Sequence, residues 1–209
     1  MEPHRDCSLC PRLKAYIDTF RVTQPDWHNA PLPVFGDAEE RVRLLVVGLA
    51  PGLKGANRTG RNFTGDHAGE LLYQTLLKHG FARGTYGARP DDGLTMHRAS
   101  IINAVRCVPP QNKPTPDEIN TCRQFLTPAF GIYQNLTTII TLGAIAHYST
   151  VRALGQRVAV APFSHGGETQ IGSYTVLSSY HCSRYNTNTG VLTEAMFDAV
   201  FARAAVLTA

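Results

Sequence analysis

Apolar and polar positions along the chain follow two rhythms. Leu44 to Val47 is a continuous apolar run that leads straight into Gly48-Leu49-Ala50-Pro51-Gly52, which predicts a buried strand opening into a glycine-rich loop. Ser100 to Val105, Thr138 to Leu142 and Tyr174 to Ser178 are three further short apolar runs. Between them the apolar positions fall at helical spacing. Leu13, Tyr16, Ile17 and Phe20 predict a helix over 11–23, with Pro11 in its first turn. Asp66 can cap a helix from His67 to His79 that is apolar at Leu71, Leu72 and Leu76. Thr115-Pro116-Asp117-Glu118 has the form of a capping box, and the helix it starts should be kinked or shortened by Pro128 near residue 127. A helix over 144–154 carries His147 on its face, and Thr193 can cap a last helix with Phe197, Val200 and Phe201 inward. Residues 81–98 read as loop with a short irregular piece, and Trp27 and Phe35 as core-covering aromatics. Strands separated by helices indicate a mostly parallel α/β sandwich.

The stretch from residue 43 to 66 concentrates the chemistry. Gly48, Gly52 and Gly55 are spaced neither as a dinucleotide fingerprint nor as a phosphate-cradling loop. Yet a loop of about 18 residues is long enough to suggest function, and this one carries Asn57, Arg58, Arg61, Phe63 and Asp66. Asp66 has two compatible readings, a helix cap and a catalytic carboxylate at the same spot. Asn103 lies in the second apolar run, where an amide must bond to backbone or face a ligand.

Composition narrows the classes. The 209 residues suit one domain, spanning 1–209 with an N-terminal extension over 1–42. No apolar run is long enough for a membrane span and no signal-peptide pattern opens the chain, so a cytoplasmic, nucleoid-associated protein and a monomer are expected. Twenty basic against sixteen acidic residues permits a polyanionic partner. The five cysteines include a C-x2-C pair, Cys7 and Cys10, then Cys107, Cys122 and a solitary Cys182. The first four could hold zinc or an iron-sulfur cluster, and spacing alone leaves both open.

Several motifs in order carry a resemblance across nearly the whole chain: Gly48-Leu49-Ala50-Pro51-Gly52; Gly55 to Asp66; Asn103-Ala104-Val105-Arg106-Cys107-Val108-Pro109-Pro110 with Asn112-Lys113-Pro114; Cys122; and Ser179-Tyr180-His181-Cys182-Ser183-Arg184 with Asn186-Thr187. The chain resembles the uracil-DNA glycosylase superfamily, and within it the type 5 branch. The resemblance implies an α/β three-layer sandwich with a central four-stranded parallel sheet. It also implies a [4Fe-4S] cluster on Cys7, Cys10, Cys107 and Cys122, acting as a structural staple. The type 5 branch lacks a polar residue in the first motif, here Leu49 to Gly52, and places the catalytic carboxylate at the position of Asp66. Two departures stand out: Asn62 and Cys182 replace prolines common in relatives, which frees φ and restores an N–H at each place.

The implied reaction is hydrolysis of the base–sugar bond of uracil, and of other deaminated bases such as hypoxanthine, in double-stranded DNA. His181 would donate to the leaving base, Asp66 would stabilise the sugar cation and its water, Phe63 would stack on the flipped base, Asn103 would bond its polar edge, and backbone around Gly48 to Gly52 would complete the pocket. Ser183, Arg184, Tyr185 and Asn186 would enter the groove beside it, and Lys54, Arg58, Arg61 and Lys113 are candidate phosphate contacts. Other readings are a non-catalytic DNA-binding module, or a nucleotide-processing α/β hydrolase working on free nucleotides.

Overall fold

A computed structural model describes residues 2–209. In chain order the helices are α1 (Pro11–Thr23), α2 (Ala56–Thr59), α3 (His67–Lys78), α4 (Pro116–Cys122), α5 (Ala129–Ile132), α6 (Ala144–Ala153), α7 (Arg184–Asn188) and α8 (Glu194–Leu207). The strands are β1 (Phe35–Gly36), β2 (Leu44–Gly48), β3 (Ala82–Arg83), β4 (Thr95–Met96), β5 (Ala99–Asn103), β6 (Thr138–Leu142), β7 (Glu168–Ile171) and β8 (Tyr174–Ser179).

The four apolar runs form the middle of one sheet, ordered β5-β2-β6-β8 and parallel throughout. Parallel strands covered on both faces read as continuous apolar runs, and the period of two then divides each run between the two layers. Leu44, Val46, Ile101, Ile140 and Leu177 pack with Leu72 and Leu76 of α3 and with Phe197 and Phe201 of α8. Leu45, Val47, Ile102, Ile139 and Val176 pack on the opposite side with Phe130 of α5 and with Ala146 and Val151 of α6.

The expected four-stranded sheet is larger than its apolar runs indicate. β1 and β7 add antiparallel strands at its two edges, making six strands. β1 is two residues long and β7 is Glu-Thr-Gln-Ile, so both are held by backbone pairing, which leaves no apolar signature. Residues 81–98 likewise hold the small β3–β4 pair. The helix begun at Thr115 ends sooner than Pro128 required: α4 stops at Cys122, a 3-10 turn covers Arg123–Phe125, and α5 starts after Pro128. Its capping box is present as expected, with the Glu118 N–H donating to Thr115 Oγ1 at 3.3 Å and the Thr115 N–H donating to Glu118 Oε2 at 2.8 Å. His147 is buried rather than lying on an open helix face. Its Nε2 donates to the Ala161 carbonyl at 2.8 Å, which leaves Nδ1 to accept from Thr141 at 3.1 Å.

Candidate active site at the strand ends

β2 has β5 on one side and β6 on the other, and the chain visits β5 before crossing to β6. Such a reversal leaves a crevice beyond the carboxyl end of the first strand, where α/β sheets place their ligands. β2 and β5 end level, with Gly48 opposite Asn103, so Asn103 sits at the tip of its strand rather than in its middle. Gly48 is required there by space. A Cβ at 48 would lie 2.4 Å from Asn103 Oδ1 and 2.7 Å from the Phe63 ring, well inside contact distance, so the acceptor and the aromatic face meet over bare backbone.

The loop after β2 does three things in succession. α2 turns it once, which the glycine spacing alone had not predicted. Phe63 is then set at φ 51° with its carbonyl accepting from Tyr86 Oη at 3.2 Å. Asp66 ends the loop by capping α3, accepting from the Gly69 N–H at 3.3 Å. The cap reading holds, and the carboxylate also lines the crevice, with a Cβ on Gly55 standing 2.5 Å from Asp66 Oδ2. Burial raises the Asp66 carboxyl above its usual range against the lowering effect of the Gly69 and Ala68 N–H groups.

The far wall comes from the segment after β8. His181 turns its ring toward Phe63, with centroids 6.0 Å apart and planes at 30°. Burial pushes the imidazole down to about 4, so it is neutral near pH 7. Leu49 to Gly52, Phe63, Asp66, Asn103, His181 and Arg184 line one cavity of about 550 Å3, within the range of small-ligand sites. His67 and Asn112 line it too. Neither has a signal in the sequence that marks it for the site: His67 opens a helix, and Asn112, at φ 56°, sits in a motif without an assigned task.

The uracil DNA glycosylase superfamily model matches residues 35–205, which include every wall of this cavity. The chain belongs to that superfamily. It is 41% identical over 199 residues to the type-5 uracil-DNA glycosylase of Thermus thermophilus, covering 91% of this chain and 89% of that one. It is 36% identical to the type-5 uracil-DNA glycosylase of Pyrobaculum aerophilum over 96% of this chain and 88% of that one. Similarity to the type-4 uracil-DNA glycosylase of Thermotoga maritima is lower, 31% over 72% of this chain and 69% of that one.

Within this glycosylase fold the expected phosphate contacts separate into two groups. Lys54, Arg58, Lys113 and Arg184 are exposed, on or beside segments that line the cavity. Arg61 is not a DNA contact. Its guanidinium is buried, pairs with both Asp92 oxygens at 2.7 and 2.6 Å, and lies 5.2, 5.4 and 5.8 Å from the ring centres of Phe35, Tyr73 and Tyr86. Asp92 in turn accepts from the Gly87 and Leu94 N–H groups, so Arg61 fastens the loop after β2 to the 84–94 segment. Ser183 and Asn186 are occupied within the chain. Ser183 Oγ accepts from the Asn186 N–H at 3.4 Å to cap α7, and Asn186 Nδ2 donates to the His181 carbonyl at 2.8 Å. Tyr185 remains strongly exposed on that helix.

Neither proline departure loosens the site. Asn62 is buried, with its Nδ2 donating to the Pro33 carbonyl at 2.8 Å and its own carbonyl accepting from Tyr73. Cys182 is fully buried with Sγ 3.5 Å from the Ala68 carbonyl, and burial pushes its thiol up to about 12, so it is neither a ligand nor an exposed thiol.

Cys10, Cys107 and Cys122 pack with Leu13 of α1, Val105 and Ala50, and Cys7 stands near enough to Cys10 and Cys107 to affect their thiols. They stand close enough to feel one another: burial pushes the Cys107 thiol up to about 12, and Cys122, Cys7 and Cys10 add to it. Cys122 Sγ accepts from the Arg106 N–H at 3.2 Å, a contact that suits a thiolate ligand. Among the described residues no group of three or more His, Cys, Asp or Glu side chains is placed to hold a single metal ion. Arg12 pairs with both Glu118 oxygens at 2.8 and 2.7 Å, tying α1 to α4 beside these cysteines.

Proposed function

We propose that this uracil-DNA glycosylase hydrolyses the N-glycosidic bond of uracil, and of other deaminated bases such as hypoxanthine, in double-stranded DNA, leaving an abasic site. What carries the reading is that Phe63, Asn103, Asp66 and His181, from three separate stretches, converge on one cavity at the strand ends.

A base stacked in a duplex cannot reach that depth and must be extruded. Phe63 offers it a face and Asn103 a polar edge. As the bond breaks, negative charge grows on the base and positive charge on the sugar. His181, being neutral, meets the first as a hydrogen-bond donor rather than as a charged acid. Asp66, once ionised, meets the second and orients or deprotonates the attacking water. Leu49 to Gly52 supply no side-chain carboxylate or amide, so Asp66 is the acid group left to act. Lys54, Arg58, Lys113 and Arg184 would hold phosphates around the opening, and the exposed Tyr185 would fill the vacated stack.

Cys7, Cys10, Cys107 and Cys122 would hold the [4Fe-4S] cluster. The N–H bond to Cys122, the packing of Cys10, Cys107 and Cys122 around Leu13, and the family resemblance support this assignment. The cluster would supply a covalent staple joining the N-terminal segment to the body, and no step of hydrolysis uses it. Equal molar iron and acid-labile sulfide, without zinc, is the expected analysis.

The test is incubation with duplexes holding uracil or hypoxanthine, followed by alkaline cleavage at abasic sites. Asp66→Asn keeps the helix cap, since Asn caps as well as Asp, and removes the carboxylate. Strand cleavage by the wild type and its loss in Asp66→Asn and His181→Ala are expected. Turnover of free nucleotides with intact DNA would refute the reading.

A further inference from the structure

Among the described residues, one buried polar atom in the cavity wall has no partner: Asn103 Oδ1. An unpaired acceptor held away from water is costly unless a ligand satisfies it. Its orientation follows from a chain of constraints rather than from the placement of one amide. The Pro33 carbonyl can only accept, so the Asn62 atom facing it, at 2.8 Å, must be Nδ2. Asn62 Oδ1 then faces the other way and can only accept. The Asn103 atom 2.7 Å from it must therefore be Nδ2, which leaves Oδ1 toward the cavity, beside the Phe63 ring over Gly48. Both amides are buried, Asn62 at 1% and Asn103 at 2% exposure, and Tyr73 Oη fixes the Asn62 carbonyl.

We infer that Asn62 is a positioning residue for base selection: by locking Asn103 with its carbonyl oxygen into the pocket, it makes the site demand a ring N–H on the extruded base. This rests on the glycosylase reading above and deepens it. Uracil carries a hydrogen on N3 and hypoxanthine on N1, whereas their parents cytosine and adenine present bare ring nitrogens there. An acceptor facing a bare nitrogen leaves two lone pairs opposed and both unsatisfied. A freely rotating Asn103 could turn its NH2 inward and accept cytosine or adenine. The lock sets apart each deaminated base from its parent; thymine and guanine carry the same N–H, so other walls of the pocket must exclude them.

The experiment uses duplexes holding a single 2′-fluoroarabino-uridine or 2′-fluoroarabino-cytidine, whose sugars resist hydrolysis, and compares equilibrium binding. Asn62→Leu keeps the volume and removes the acceptor. It is expected to lower the uracil-over-cytosine preference about tenfold, the worth of one hydrogen bond, and to do nothing further to that preference in an Asn103→Ala background. Asn62→Asp, whose carboxyl oxygen still accepts from Asn103 Nδ2 whether protonated or ionised, should keep the preference. Equal weakening toward both duplexes, or the same loss of preference without Asn103, would overturn the inference. If wild-type protein binds the uracil duplex no better than the cytosine one and releases no uracil, the functional reading itself fails instead.

Discussion

Replacing Arg61 with Met separates a structural role from a DNA-binding one. The guanidinium and the Asp92 carboxylate are 5% and 3% exposed and joined by two short bonds. Arg61→Met keeps most of the stem packed among Phe35, Tyr73 and Tyr86 but leaves a carboxylate buried without its cation. Breaking one side of a buried pair costs about 3–5 kcal/mol. For a chain of this size each kcal/mol moves the melting point by about 2–4 °C, so a fall of roughly 10 °C is expected in thermal unfolding near neutral pH. The pH dependence has a definite sign. Arg61 holds the Asp92 carboxyl well below the usual carboxylate range, so the pair's contribution is complete above the unfolded value near ~4 and disappears as pH falls below it. The gap between wild type and Arg61→Met should therefore narrow on acidification, and Arg61→Met/Asp92→Asn should regain part of the loss at neutral pH. A variant melting within about 2 °C of wild type, whose DNA affinity instead loses about one unit of salt slope, would refute this account and return Arg61 to the phosphates.

Two other outcomes follow from the pocket. The rate of uracil release should rise with pH along a limb set by the Asp66 carboxyl, displaced above the ordinary carboxylate value by burial, with no fall between pH 6 and 7 from His181, which is already neutral above about 4; single-turnover rates against pH measure this. Gly48→Ala should lower uracil excision by about tenfold or more, because the added methyl displaces Asn103 Oδ1 and the Phe63 ring.

Much of the candidate site was legible in the sequence. Asp66 was marked by its place before an apolar helix, Phe63 and Gly48 by an over-long loop, while His181 came only with the family resemblance. Asn103 was marked as an amide in an apolar strand. Arg61 was misread because a buried arginine and a phosphate-binding one look alike in sequence, and the carboxylate that claims it lies 31 residues away in a segment without periodicity. Asn62 showed no role in the sequence for the same reason: its partners, Pro33, Tyr73 and Asn103, are remote in the chain.

Local rules thus fixed what local forces decide in this protein: four buried strands, the helices between them, the capping box at Thr115 and the caps at Asp66 and Thr193. Each depends on neighbours within a few residues. The edge strands β1 and β7, the Arg61–Asp92 pair, the direction of the Asn103 amide and the neutrality of His181 were decided by tertiary structure. Backbone pairing, ion pairing, amide orientation and desolvation all depend on which distant groups share a buried space, and that becomes defined only when the sheet and its two helical layers close around it.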